Sequence, residues 1–270
     1  MSQISLGSTG PEVSELQQKL RQHGFATGNA DGTFGAATRS ALRAFQKSIG
    51  LEPDGVVGPR TALALELASE PEIEPVIPGV TLSAVARMFP LTPVPNIRAN
   101  LPAVLRALVA RGLSDTKMVL MSLATIRAET EAFQPIQEEE SPSNTSPGGK
   151  PFDRYDRVLG NQGWPDGERF RGRGFVQLTG RANYLQHGRA IGLGEQLVVE
   201  PERANDPEIA AQVLASFLKT RERQIRGALQ ANDLAKARAL VNGGTYGVER
   251  FVDTFRKGEA VLDEGSKKAA

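Results

Sequence analysis

Hydrophobic positions along this chain recur mostly at helical rather than alternating spacing. Leu16 and Leu20, then Leu42 and Phe45, lie three or four residues apart, which puts each pair on one face of a helix. Around them, Asp31-Gly-Thr-Phe-Gly-Ala-Ala-Thr38 is echoed by Asp54-Gly-Val-Val-Gly-Pro-Arg-Thr61. Each copy reads as a turn followed by a helix start, with glycine supplying the permissive backbone and Pro59 suiting a first helical turn. The pattern predicts three short helices around a small core over residues 1–68; by itself it leaves open whether the repeat does more than build a helical bundle. Residues 69–80 hold three prolines and three glutamates in twelve positions. That composition predicts an extended, semi-rigid linker.

Past the linker the pattern stays helical. Leu101–Arg111 is amphipathic and stops at Gly112. Ser114 or Asp115 can cap the next helix, which is expected to run to about Ala132. Val119, Leu123, Ile126 and Phe133 form one apolar stripe along it. Gln134–Arg171 is rich in Pro, Gly, Asn and Asp and reads as a long irregular lobe, a length of loop that is usually functional. Phe175-Val-Gln-Leu178 is a candidate short strand. Helices are expected near 181–192, 207–226, 232–241 and 248–262, with Asp206-Pro207 as a cap and first-turn proline. The expected fold is mainly α: a small three-helix domain at 1–68, a linker at 69–80, and a larger α-helical domain at 81–270 with an irregular lobe and little β.

Composition narrows the chemistry. The chain has 270 residues, 40% hydrophobic and 23% charged, with a net charge of +1, no cysteine and two histidines. This is ordinary globular composition. It offers no disulfide framework or thiolate metal site, and little for a histidine-rich zinc site or a Ser-His-Asp triad. The charge gives no reason to expect nucleic-acid binding. No stretch approaches the roughly 20 apolar residues of a membrane span. The first residues lack the basic and apolar regions of a signal peptide, so cytoplasmic synthesis is expected, with release by another agent if the target lies outside.

What stands out is a concentration of acid: Ala124–Glu140 holds five glutamates in seventeen residues. Hydrolysis of a glycosidic bond needs two carboxylates on opposite sides of it, one protonated and one ionised. At about 100° per residue, Glu129 lies roughly 60° from Ile126, at the edge of the apolar stripe. Glu131 lies about 140° away, where it can pair with Arg127 at i,i+4. Glu129 is therefore the partly desolvated candidate for an acid, and Glu131 the solvated one. Helix phase alone leaves Glu129 open to being an ordinary boundary glutamate.

Two resemblances extend this reading. Leu6-Gly…Val13…Leu16-Gln17…Leu20, Gly24-Phe25, Asp31-Gly-Thr-Phe-Gly35, Thr38, Phe45-Gln46 and Asp54-Gly-Val-Val-Gly58 together resemble the peptidoglycan-binding module of the three-helix type, across almost all of residues 4–67. This implies non-catalytic binding to the cell wall. Ala128-Glu-Thr-x-x-Phe133 is similar to the catalytic-helix motif of the family 19 chitinase-like glycoside hydrolases. It departs where the family has a histidine (Ala128) and a Gly-Gly pair (Glu131-Ala132). Phe170-Arg-Gly-Arg-Gly-Phe-Val-Gln-Leu-Thr-Gly-Arg-Ala-Asn-Tyr184 and Val241-Asn-Gly-Gly244 with Gly247 and Arg250-Phe251 resemble two further signatures, in the family's order.

The family resemblance implies Glu129 as general acid. It implies Glu138 as general base, because Phe133-x-x-Ile-x-Glu138 followed by Ser141 and Asn144 is similar to the lysozyme-like branch; Glu140 is next in order, and Glu139 and Glu140 also fit a solvated run. Gln177, Thr179 and Asn183 carry over as groups that position substrate or water, and Asn242 as a cleft donor. Tyr155 and Trp164 could stack on sugars or simply pack, and Arg173 and Arg250 could anchor carboxylates or carbonyls. The implied protein is a monomeric peptidoglycan hydrolase of lysozyme type with no metal or cofactor, resembling a phage endolysin. An autolysin or antibacterial effector would share these features. The alternatives are a chitinase and a wall-binding protein without activity.

Overall fold

In the computed structural model, which describes residues 4–67, 76–244 and 246–269, helices dominate. β-Structure among these residues is one two-stranded ribbon and isolated bridges. The chain forms two units: residues 1–75 with 81–90, and residues 76–80 with 91–270. The linker expected at 69–80 falls in part on residues 69–75, which lie outside the described residues.

In the first unit, α1 (Pro11–Gln22), α2 (Ala36–Ser48) and α3 (Pro59–Ala64) enclose a core that includes Val13, Leu16, Leu20, Leu42 and Phe45. The sequence repeat has a physical cause in two buried glutamines. Gln17 Nε2 donates to Asp31 Oδ1, the Thr33 carbonyl and Thr38 Oγ1, each at 3.1 Å, while its Oε1 accepts the Gly32 N–H at 2.9 Å. Gln46 makes the same set with Asp54 (2.7 Å), Val56 (3.0 Å), Thr61 (3.2 Å) and Gly55 (2.9 Å). Each Asp-Gly turn is thus wrapped on a buried amide whose polar atoms are satisfied, the condition for burying one at all. The next helix, α4 (Leu82–Met88), belongs to this unit. Thr81 caps it, and Arg60 of α3 donates to the carbonyls of Ala86 (3.0 Å) and Phe89 (2.8 Å).

The second unit is organised on α6 (Thr116–Thr130), which follows α5 (Val94–Ala110). Asp115 is its cap, accepting the Met118 N–H at 3.3 Å. Every residue from Met118 to Ile126 is buried, so the expected single stripe is corrected to a helix packed on all faces. The remaining helices are α7 (Asp166–Arg169), α8 (Arg181–Ala190), α9 (Gln196–Val199), α10 (Pro207–Thr220), α11 (Glu222–Gln230), α12 (Leu234–Asn242) and α13 (Val248–Ala269). α13 packs along α6, and α10 along α5. The helix expected over 207–226 breaks at Arg221 into α10 and α11. The strand expected at Phe175–Leu178 is also corrected. The ribbon pairs β1 (Ile136–Gln137) with β2 (Arg173–Gly174), antiparallel, Ile136 opposite Gly174. Phe175–Gln177 form the turn beyond, and Leu178 returns to exchange both backbone hydrogen bonds with Arg173. No helix among the described residues is long and apolar enough to cross a membrane.

Candidate active site

Glu129 sits in the last turn of α6 with 12% of its side chain exposed. Its Oε1 accepts a hydrogen bond of 2.7 Å from Nη1 of Arg238, whose side chain is fully buried. A buried guanidinium is tolerated only when paired, and the other nitrogens of Arg238 are used as well. Nε and Nη2 donate to the Tyr246 carbonyl at 3.1 and 3.0 Å. Sequence reading missed Arg238. The signal was present: on α12, Leu234, Ala237, Arg238 and Val241 form the buried stripe, and an arginine on such a stripe implies a carboxylate facing it.

The helix was expected to reach Ala132 but stops at Thr130. Glu131 has φ 46° and ψ −45°, and the Ala132 N–H bonds back to the Thr130 carbonyl. That is a γ-turn of the strained, positive-φ kind. The turn is held by polar side chains that donate to the carbonyls following the helix end. Thr92 Oγ1 donates to the Glu131 carbonyl, and Asn96 and Asn100 donate to those of Ala132 and Phe133 at 2.9 Å each. The Glu131 carboxylate is exposed, pairs with Arg250 and lies 3.9 Å from Arg127, so the expected i,i+4 partner is present beside a second one.

The two residues of β1 lead directly to Glu138, and here the acidic run separates. Glu138 is half-buried while Glu139 and Glu140 are exposed. Glu138 Oε1 accepts from Asn144 Nδ2 at 3.0 Å and from the Tyr155 hydroxyl at 2.9 Å; Oε2 accepts the Gly172 N–H at 3.1 Å. Its own N–H donates to the Gly172 carbonyl at 2.7 Å. A Cβ on Gly172 would come within 2.8 Å of Gln177 Oε1 and 3.1 Å of Glu138 Oε2, so a larger residue there would have to push these two side chains aside. Burial, and then the Glu138 carboxylate itself, push the Tyr155 phenol up to about 12; it therefore remains a donor at any ordinary pH.

The residues expected to meet substrate are placed as follows. Gln177, at φ 50°, donates its amide to the carbonyls of Ile136 (3.0 Å) and Gly174 (3.1 Å), tying both strands of the ribbon together. Thr179 donates to the Gln177 carbonyl and Asn183 to the Thr179 carbonyl, at 2.9 and 2.7 Å. Asn242 donates to the Tyr246 carbonyl at 2.9 Å and accepts the Gly244 N–H at 3.0 Å. All four use their donors on backbone. Tyr155 is bound to Glu138, and Trp164 is exposed with the Lys150 ammonium 3.7 Å from its ring centroid. Arg173 is buried, donating to the Arg169 carbonyl at 2.8 Å and to the Tyr184 hydroxyl at 3.0 Å. Among the described residues no cluster of His, Asp and Glu gathers that could hold a metal ion.

Comparison with known proteins matches the two parts separately. Residues 9–65 match the family described as "Putative peptidoglycan binding domain". Over 67 residues the chain is 45% identical to a spore cortex-lytic enzyme of Bacillus cereus, a match covering 25% of this chain and 26% of that protein. Over 60 residues it is 43% identical to the N-acetylmuramoyl-L-alanine amidase CwlM of Mycobacterium tuberculosis, covering 22% and 15%. The chain thus spans about a quarter or less of these relatives. A mutant of chitinase C superposes with a TM-score of 0.50 at 19% identity, over 68% of this chain and 77% of that one. The chain is accordingly mainly helical, with a peptidoglycan-binding domain sequence at its start and a fold shared with a chitinase.

Proposed function

We propose that the chain is a cell-wall hydrolase of the family 19-like lysozyme type. It cleaves the β-1,4 bond between N-acetylmuramic acid and N-acetylglucosamine, with Glu129 as general acid and Glu138 as general base. The observation that carries this reading is the contrast between the two carboxylates on either side of one braced segment. Glu129 faces a single buried guanidinium. Glu138 is fixed by three donors, which occupy three of the roughly four lone-pair positions of a carboxylate. One position remains to accept a proton from water.

In the proposed step, the water held by Glu138 attacks the anomeric carbon and gives up its proton to that carboxylate. Glu129 protonates the departing glycosidic oxygen as the C–O bond breaks, and the sugar emerges with inverted configuration. The negative charge left on Glu129 develops against Arg238, a preorganised partner of the kind that stabilises transition-state charge. The match at residues 9–65 supports the wall as target but is silent on the bond, since the relatives it shares are named for different reactions. Synthesis inside a host cell with release at lysis, as for a phage endolysin, fits the same reading.

The test is loss of turbidity of outer-membrane-stripped cells. Glu129→Gln should slow lysis by about 10²–10⁴-fold, the range for losing a positioned acid. Lysis by Glu129→Gln at the wild-type rate would remove Glu129 from the chemistry.

A further inference from the structure

The chain's three tyrosines differ sharply in setting. Tyr184 is buried, Tyr155 is bound to Glu138, and Tyr246 leaves 72% of its surface exposed. An exposed aromatic is ordinary by itself. What sets Tyr246 apart is how firmly its backbone is held. Its carbonyl accepts three hydrogen bonds, from Arg238 Nε (3.1 Å), Arg238 Nη2 (3.0 Å) and Asn242 Nδ2 (2.9 Å). The remaining terminal nitrogen of the same guanidinium is bonded to Glu129 Oε1 at 2.7 Å. The width of one guanidinium therefore separates the Tyr246 peptide from the Glu129 carboxylate.

The next residue tightens the placement. Gly247 has φ 71°, and a Cβ there would lie 3.2 Å from the Ala128 carbonyl oxygen and 3.3 Å from Ala128 Cβ. Gly247 thus lies close against the helical turn that carries Glu129. The Arg250 guanidinium carbon is 5.9 Å from the Tyr246 ring centroid and the same side chain pairs with Glu131, which steadies the ring from one side. The result is a solvent-facing aromatic surface on ordered backbone, so little ordering cost remains for a ligand to meet.

A β-linked pyranose presents an apolar face of axial C–H groups, which an aromatic ring covers well. We propose that Tyr246 is a sugar-stacking residue that seats an N-acetylhexosamine ring of the glycan beside Glu129, an inference resting on the hydrolase reading above. Recognition is through the ring face, so the hydroxyl is dispensable.

Three measurements on the full chain test this. In the Glu129→Gln background, calorimetric titration with a soluble, peptide-free tetrasaccharide of alternating N-acetylglucosamine and N-acetylmuramic acid should give about tenfold weaker binding for Tyr246→Ala and unchanged binding, within about twofold, for Tyr246→Phe. In the chain with Glu129 intact, Tyr246→Ala should raise KM about tenfold and leave kcat within about threefold, as for a contact made equally in ground and transition states. The thermal midpoint of Tyr246→Ala should equal that of wild type. Equal affinity of Tyr246→Ala, a loss with Tyr246→Phe as large as with Tyr246→Ala, or no binding heat without the substitution would each overturn the proposal. Wild-type activity of Glu129→Gln would instead sink the acid assignment, leaving the titration to judge Tyr246 on its own.

Discussion

Glu138 differs from Glu139 and Glu140 in what reaches it: two side-chain donors and one backbone N–H converge on its carboxylate, while its neighbours are exposed. Replacing each in turn by glutamine should therefore have unequal effects. Glu138→Gln should lower the rate of reducing-end release by about 10²–10⁴-fold, with Glu139→Gln and Glu140→Gln close to wild type. Equal losses at all three, or a loss confined to Glu140, would refute the assignment. Spacing after Phe133 was enough to point to Glu138. Spacing could not supply Tyr155 as its hydrogen-bond donor, because that contact depends on how the irregular lobe folds back. Arg238 lies 109 positions from Glu129 in sequence, so its place on the buried stripe of α12 implies a carboxylate partner without saying which. Gln177, Thr179, Asn183 and Asn242, expected to position substrate or water, also hydrogen-bond to backbone, which the sequence did not foretell.

At the level of elements, the site depends on how α6 ends. Past its last turn, Thr92, Asn96 and Asn100 supply donors to three successive carbonyls at Glu131, Ala132 and Phe133. Asn100 is buried, and Asn100→Ala removes the donor to the Asn96 and Phe133 carbonyls. The expected cost is about 1–3 kcal/mol, the range for losing a buried hydrogen-bond partner, read as a lower urea midpoint. A midpoint unchanged within error would contradict the bracing role. Periodicity located α6 and its cap correctly. It could not see that the helix is buried on every side, since Ser122 and Thr125 break the apolar pattern yet pack inside. Nor could it see the γ-turn, which local propensity disfavours and tertiary contacts impose.

For the whole molecule, legibility followed the range of the contacts. The first unit could be read because its signals are local: two Asp-Gly turns, each closed by a glutamine at most 16 residues away. The second unit packs distant segments, and one consequence concerns acid stability. His187 is buried against Ser216, with Nδ1 and Oγ 3.0 Å apart. Burial first, then the charges of Arg221 and Arg111, push the imidazole down from 6.5 to about 4. Unfolded, it takes a proton near pH 6.5; folded, only near pH 4. Between these values the unfolded state binds more protons, so the stability contribution is complete above pH 6.5 and is lost as pH falls towards 4. The loss is about 3 kcal/mol at most, and His187→Gln should flatten the acid side of the stability profile. A variant whose midpoint falls with acid as steeply as wild type would show that other groups govern it.

If the two carboxylates of this braced segment hydrolyse a glycosidic bond of the wall, the bond broken is visible in the products. Mass spectrometry of the muropeptides released from purified peptidoglycan should find fragments ending in a reducing N-acetylmuramic acid, each one water heavier than an anhydro sugar. Anhydro-muramyl ends, freed peptide amines with intact glycan, or products from chitin alone would refute glycosidic hydrolysis by Glu129 and Glu138.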